Sequence, residues 1–169
     1  MEKIVIRRAF DEDTGTIAHI INEAWRHAYA GIVPREYLDT LSDDGRASQL
    51  REGLARFSSM RYYLLEANDV PVGAASLHPT RDADLRNTAE FSFFYFLPSA
   101  WRRGYGKRLL AHLKSEAAAL GYEQICCWVL KENTRALTFY ESQDMLPDGA
   151  RQTVTIGEPL EAIRCVARL

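Results

Sequence analysis

Two apolar runs, "EFSFFYFLP" (90–98) and "EQICCWVL" (123–130), flank a glycine turn and a helix-like stretch, and this order leaves the chain few ways to fold. Neither run alternates polar and apolar residues as a half-exposed strand would, so each reads as a strand buried on both faces. Between them Leu109, Leu110, Leu113, Ala117 and Leu120 fall on one face of a helix that Gly121 ends. Strand, helix and strand over about 40 residues close as a right-handed crossover with the two strands parallel. The expected class is therefore α/β.

The flanking sequence adds elements to both sides of this unit. "KIVIRRA" reads as a strand, and a helix from about residue 13 repeats Ile17, Ile20, Ile21, Ala24, Trp25 and Ala28 at spacings of 3 and 4. Gly31 and Pro34 break it, and "REYLDTL" and "RASQLREGLARF" read as shorter helices. "RYYLLEA" and "VPVGAASLHP" around Asn68-Asp69 predict an antiparallel hairpin, and "TRDADLRNTAE" a polar loop. "TRALTFYES" predicts a short helix, and two closing strands are expected near "RQTVTI" and "EAIRCVARL". With no repeat, low-complexity segment or linker, residues 1–169 are expected to form a single domain.

Charge and cysteine usage exclude several function classes. Lys plus Arg total 21 against 23 Asp plus Glu, a net charge of -2, so the chain as a whole does not attract a polyanion, and no nucleic-acid partner is expected. Any anion site must be local. Cys126, Cys127 and Cys165, an odd number inside apolar runs, match neither a disulfide framework nor a metal-ligand spacing. They read as packed, reduced thiols of a cytoplasmic protein with no bound metal. No signal peptide is evident, and no run approaches the roughly 20 apolar residues that cross a bilayer, so no membrane partner is expected either. His19, His27, His78 and His112 share no spacing and are assigned no role.

The turn "WRRGYG" (101–106) lies between a buried strand and a helix N-terminus. Free backbone N–H groups and the helix dipole favour an anion there, and glycine lets a phosphate approach the backbone. Arg102, Arg103, Lys107 and Arg108 add positive charge. The Walker pattern is absent, and the third glycine of a dinucleotide fingerprint would fall at Leu109. Further on, "VLKENTRALTFYES" (129–142) places Asn133, Ala136 and Tyr140 on one helix face.

Together these stretches resemble the GNAT superfamily, the Gcn5-related N-acetyltransferases. "EFSFFYFLP" is similar to the family's Glu-Leu-x-x-Leu-Tyr-Val-x-Pro strand, "WRRGYG" to its Gln/Arg-x-x-Gly-x-Gly/Ala turn, and "NTRALTFYE" to its Asn-x-x-Ala-x-x-Phe-Tyr-Glu helix. "AWRHAYAGIVPREYLDTLS" (24–42) also resembles small bacterial members, so the likeness spans nearly the whole chain. Trp101 departs from the usual Gln or Arg, Arg102 from a common glycine, and Asp144-Met145 from the Gly-Phe that usually follows the last helix.

The resemblance implies a mixed central sheet of about seven strands with flanking helices, its fourth and fifth strands splayed apart. Acetyl-CoA would be the cosubstrate. Its pantetheine would lie against the backbone of Phe94, Tyr95 and Phe96, its pyrophosphate on Arg102, Arg103, Gly104, Tyr105, Gly106 and Lys107, with Asn133 binding the arm or fixing the loop. The resemblance assigns Tyr140 as the acid that protonates the leaving thiolate and Glu90 as a base for the incoming amine, against a structural hydrogen-bonding role for Glu90. Trp25 and Tyr29 would wall the acceptor pocket, against a packing role for both. The expected reaction is acetyl transfer to the primary amine of a small molecule by direct attack. A peptide N-terminal acetyltransferase and a non-catalytic acyl-CoA sensor remain as alternatives. The family likeness also implies a homodimer.

Overall fold

The computed structural model describes all 169 residues. Strand β1 (Ile4–Ala9) leads into helix α1 (Thr14–Ala28), whose buried stripe of Ile17, Ile20, Ile21 and Ala24 is the one the spacing predicts. A single-turn helix α2 (Arg35–Leu38) and a longer α3 (Asp43–Arg56) follow. Helix α3 begins three residues before the expected "RASQL" segment. Ser42 caps it by accepting from the Gly45 N–H at 3.2 Å, and Asp43 and Asp44 fill its electropositive first turn.

Strands β2 (Arg61–Ala67) and β3 (Val70–Pro79) form the expected hairpin, with Asn68 and Asp69 both at positive φ (51° and 65°), as a type I′ turn requires. Short strands β4 (Thr88–Glu90) and β5 (Phe94–Phe96) precede helix α4 (Tyr105–Ala119) and strand β6 (Gln124–Leu130). Helix α5 (Thr134–Ser142) and the long hairpin of β7 (Leu146–Ile156) and β8 (Glu158–Arg168) complete the chain.

The sheet runs β1-β2-β3-β4-β6-β8-β7, with β5 paired to β3 beside this path. The β4/β6 pair is parallel, as the crossover through α4 demands, and the other pairs are antiparallel. Helices cover both faces. Tyr63, Leu65, Leu77, Ile125 and Cys127 point to the side of α4 and α5, whereas Tyr62, Leu64 and Ala74 point to α1 and α3. Both alternating sets of β2 are thus buried, which explains its unbroken apolar pattern. A third cluster ties the segment after α1 to the far end of the sheet through Tyr29, Val33, Leu38, Leu130 and Ala162.

One strand differs from its sequence reading. "EFSFFYFLP" is not a single strand buried on both faces: its chain bends over residues 91–93, and Phe94, Tyr95 and Phe96 are only half-buried. The apolar run reflects two environments in series, first the sheet interior and then the wall of a cleft. This break also accounts for eight strands where about seven are expected. No helix is long and apolar enough to cross a membrane.

Candidate active site

The break in the strand opens the sheet. Thr88, Ala89 and Glu90 stand opposite Gln124, Ile125 and Cys126, and the Phe91 N–H donates to the Cys126 carbonyl at 3.2 Å. Beyond that bond the chain stays with β3 while β6 stays with β8, leaving a wedge between Phe94–Phe96 and Trp128–Leu130. In the β3/β5 register the Ser76 N–H donates to Phe93 O at 3.0 Å and the Leu97 N–H to Val72 O at 2.9 Å. Hydrogen-bonded pairs alternate in an antiparallel ladder, so Tyr95 is spent on Ala74, and the backbone groups of Phe94 and Phe96 face the wedge. The Phe96 carbonyl takes the Trp101 indole N–H at 3.0 Å.

The wedge widens into a cleft of about 550 Å³. At one end lies the glycine turn. Arg102 and Gly104 adopt positive φ (61° and 80°), which costs a residue with a Cβ but suits glycine, and Gly104 caps α4 so that the first N–H groups of the helix face outward. Gly106 has a second reason to be glycine: a Cβ there would come within 3.2 Å of the Phe139 ring. Arg135, from the first turn of α5, stacks its guanidinium 3.7 Å over the Trp101 ring, and His27 meets the same indole edge-on. Burial and neighbouring Arg102 both push the Arg135 pKa down, as expected where cations gather without a counter-ion.

At the narrow end of the wedge, Tyr140 packs its ring against Phe91, Phe94 and Phe139 at centroid distances of 5.8, 6.2 and 5.3 Å. It is 7% exposed, and burial holds its phenol well above the ordinary pKa, so the group stays protonated. Asn133 caps α5 by accepting from the Ala136 N–H at 3.3 Å, which fixes the start of the helix from which Tyr140 is aimed. At the C-terminus of α5, Asp144 takes the left-handed conformation (φ 61°) in place of glycine, and Met145 is wholly buried in the core.

On the far side, the Tyr29 and Tyr95 phenols share a hydrogen bond of 2.8 Å. Burial raises both pKa values. Behind them Trp25 meets Tyr29 edge-to-face at 4.9 Å and carries the Arg46 guanidinium 4.7 Å from its ring centroid.

The structure thus brings Tyr29, Phe94, Tyr95, Phe96, Arg102, Gly104, Tyr105, Gly106, Lys107, Asn133 and Tyr140 to one cleft. Three expected residues do not line it. The Arg103 guanidinium turns away to Glu2 Oε1 at 2.6 Å, the same oxygen that accepts from the Tyr105 hydroxyl at 2.6 Å. Trp25 stands one layer behind Tyr29. Glu90 is 5% exposed, and its Oε2 accepts from Thr80 Oγ1 at 3.1 Å and the Arg81 N–H at 3.2 Å, holding the 80–87 loop.

Sequence reasoning missed Arg135, Trp128 and His27, all lining residues. Arg135 lay inside the motif already singled out. Its place one turn before Phe139, on the face toward the glycine turn, was the available signal. All three cysteines are free, packed thiols: burial pushes the Cys126 thiol up to about 12 and that of Cys165 to about 11, with Cys127 well above its usual value.

Residues 17–145 match the Acetyltransferase (GNAT) family. The chain belongs to that family. It is 26% identical over 143 residues to the uncharacterized N-acetyltransferase YuaI of Bacillus subtilis (strain 168), covering 82% of this chain and 78% of YuaI. Among solved structures, the fold matches that of the PaiA N-acetyltransferase from Thermoplasma acidophilum in complex with coenzyme A, with TM-score 0.78, 20% identity and 99% of each chain covered. It also matches yncA, a putative acetyltransferase from Salmonella typhimurium with its cofactor acetyl-CoA, with TM-score 0.73, 23% identity and 99% and 94% covered. The GNAT chain described here is an acyltransferase by family, and its mixed sheet is the GNAT fold.

Proposed function

We propose that the protein transfers an acetyl group from acetyl-CoA to the primary amine of a small molecule. The observation that carries this reading is a single cleft joining a cation-lined glycine turn, an unpaired strand edge and a protonated phenol. The turn would take the pyrophosphate on backbone N–H groups, with Arg102, Lys107 and Arg135 as counter-ions. The Phe94 backbone and the Phe96 N–H would pair with the pantetheine amides as an added strand. This brings the thioester to the crotch of the wedge beside Tyr140.

Chemistry follows from that arrangement. The amine nitrogen attacks the thioester carbon, the C–S bond breaks, and Tyr140 gives its proton to the departing sulfur and recovers one from the ammonium through solvent. Glu90 could accept the amine's proton only through bridging water, because it does not line the cleft and its Oε2 is held by the 80–87 loop.

Thiol release from acetyl-CoA, followed against polyamines, amino acids, aminoglycosides and short peptides, tests the reading. Turnover on one class of free amine supports it. Turnover confined to peptides would replace it with N-terminal acetylation, and acetyl-CoA binding without turnover on any acceptor would replace it with a sensor role.

A further inference from the structure

The bend that opens the cleft is a slip of one residue in the strand register. Before it, His78 stands opposite Glu90 and Pro79 opposite Ala89; after it, Ala75 stands opposite Phe94 and Ala74 opposite Tyr95. Only Ser76 and Leu77 on β3 therefore lie opposite Phe91, Ser92 and Phe93. The surplus residue makes a β-bulge, and its N–H groups have no regular place in the ladder.

Ser76 supplies that place with its side chain. Its Oγ accepts from the Ser92 N–H at 2.8 Å and the Phe93 N–H at 3.2 Å, while its own backbone N–H donates to Phe93 O at 3.0 Å. A hydroxyl has two lone pairs and one proton, so with both lone pairs taken the proton goes to Ser92 Oγ, 3.0 Å away. This wholly buried hydroxyl thus spends its entire hydrogen-bonding capacity on the bulge, two of whose residues, Ser92 and Phe93, line the cleft.

A slip of one residue reverses the face that every later side chain takes. With the bulge in place, Phe94 and Phe96 pack toward α4 and α5, while Tyr95 packs toward α1 and its hydroxyl meets that of Tyr29 at 2.8 Å. Without the bulge these faces would exchange. Tyr95 would leave Tyr29, and Phe94 and Phe96 would turn their backbone groups from the wedge to β3.

From this geometry we infer that Ser76 is a positioning residue for acetyl transfer: its hydroxyl holds the bulge, and through it the register that turns the Phe94 backbone and the Phe96 N–H to pantetheine and the Tyr95 phenol to Tyr29. The inference rests on the pairing of pantetheine with β5.

Two variants test it: Ser76→Ala, which removes the acceptor, and Ser76→Cys, which nearly keeps the volume but accepts weakly. Calorimetry compares acetyl-CoA with ADP, which carries the pyrophosphate but no pantetheine. Both variants are expected to bind acetyl-CoA about tenfold more weakly with ADP affinity unchanged, because the glycine turn makes no use of Ser76. Amide exchange followed by NMR should show Ser92 and Phe93 losing protection. Full acetyl-CoA affinity in either variant overturns the inference, and so does an equal loss for both ligands, which a merely destabilised fold would give. If acetyl-CoA binds the wild type no better than ADP, it is the pairing of pantetheine with β5 that falls; lost protection at Ser92 and Phe93 then still supports the hold of Ser76 on the bulge, and unchanged protection overturns it.

Discussion

Tyr140 illustrates how far one residue depends on its surroundings. Burial between Phe91, Phe94 and Phe139 raises the phenol's pKa, so the group holds its proton at neutral pH, as it would in water, and its service as an acid comes from position beside the departing sulfur and not from heightened acidity. Tyr140→Phe removes only the hydroxyl and leaves the ring in place. Steady-state kinetics should show kcat lowered about 10²-fold or more with acetyl-CoA affinity unchanged, and an unaltered rate would remove Tyr140 from the acid role. The sign of the pH dependence follows from the upward shift. The acid form is lost only above the folded pKa, so Tyr140 should cause no alkaline fall in rate at or below the ordinary phenol value of about 10.

At the scale of elements, the turn into α4 works through backbone geometry. Nothing lies within 4 Å of a Cβ built on Gly104, so space is not the constraint; its φ of 80° is. Gly104→Val would push this residue out of the left-handed region and rotate the N–H groups of the first helical turn. Calorimetry should then show acetyl-CoA affinity reduced about tenfold or more, with the fold retained by circular dichroism. Undiminished affinity would refute the placement of the pyrophosphate on this turn. The break between β4 and β5 follows a similar logic. The backbone groups of Phe94 and Phe96 find no sheet partner because β6 has left to pair with β8, and a site made of unpaired backbone can bind only a ligand that behaves as a strand.

Across the whole molecule, the two halves of the sheet are tied by a buried cation. Arg164 on β8, its side chain 5% exposed, holds Asp82 at 3.0 Å and Asp84 at 2.6 Å from the loop before β4, and Asp148 at 2.7 Å from the bulge in β7. Asp82 also accepts from the indole of Trp128, so the wall of the cleft depends on this network. Removing the cation as Arg164→Met leaves three part-exposed carboxylates facing one another without a counter-ion and should lower the midpoint of urea denaturation at neutral pH. The hydrogen bond to Arg164 holds the Asp84 carboxyl below its ordinary pKa. Stability from such a group is present above its unfolded pKa of about 4 and is lost as pH falls toward its folded value. The difference between wild type and Arg164→Met should therefore shrink as the protein is acidified below that point, and a gap independent of pH would show that the loss is one of packing.

Much of this was legible in the sequence because it depends on local pattern. The spacing of Ile17, Ile20, Ile21 and Ala24 specified α1, Asn68-Asp69 the β2–β3 hairpin, and two apolar runs around a helix a parallel crossover, although the strand that pairs with β6 is Thr88–Glu90, the end of the stretch expected as a polar loop, while the body of the run pairs with β3. The glycine turn and the helix carrying Tyr140 were legible for the same reason. What only the tertiary structure decided is where each side chain spends its polar atoms. Glu90 was chosen by its place in a motif, but whether it faces a substrate or a loop depends on Thr80 and Arg81 folding back across the strand. Arg103 was counted among the phosphate cations until Glu2, 101 residues away, claimed it. Partners so distant in sequence leave no local trace, because a hydrogen bond is set by separation in space and not along the chain.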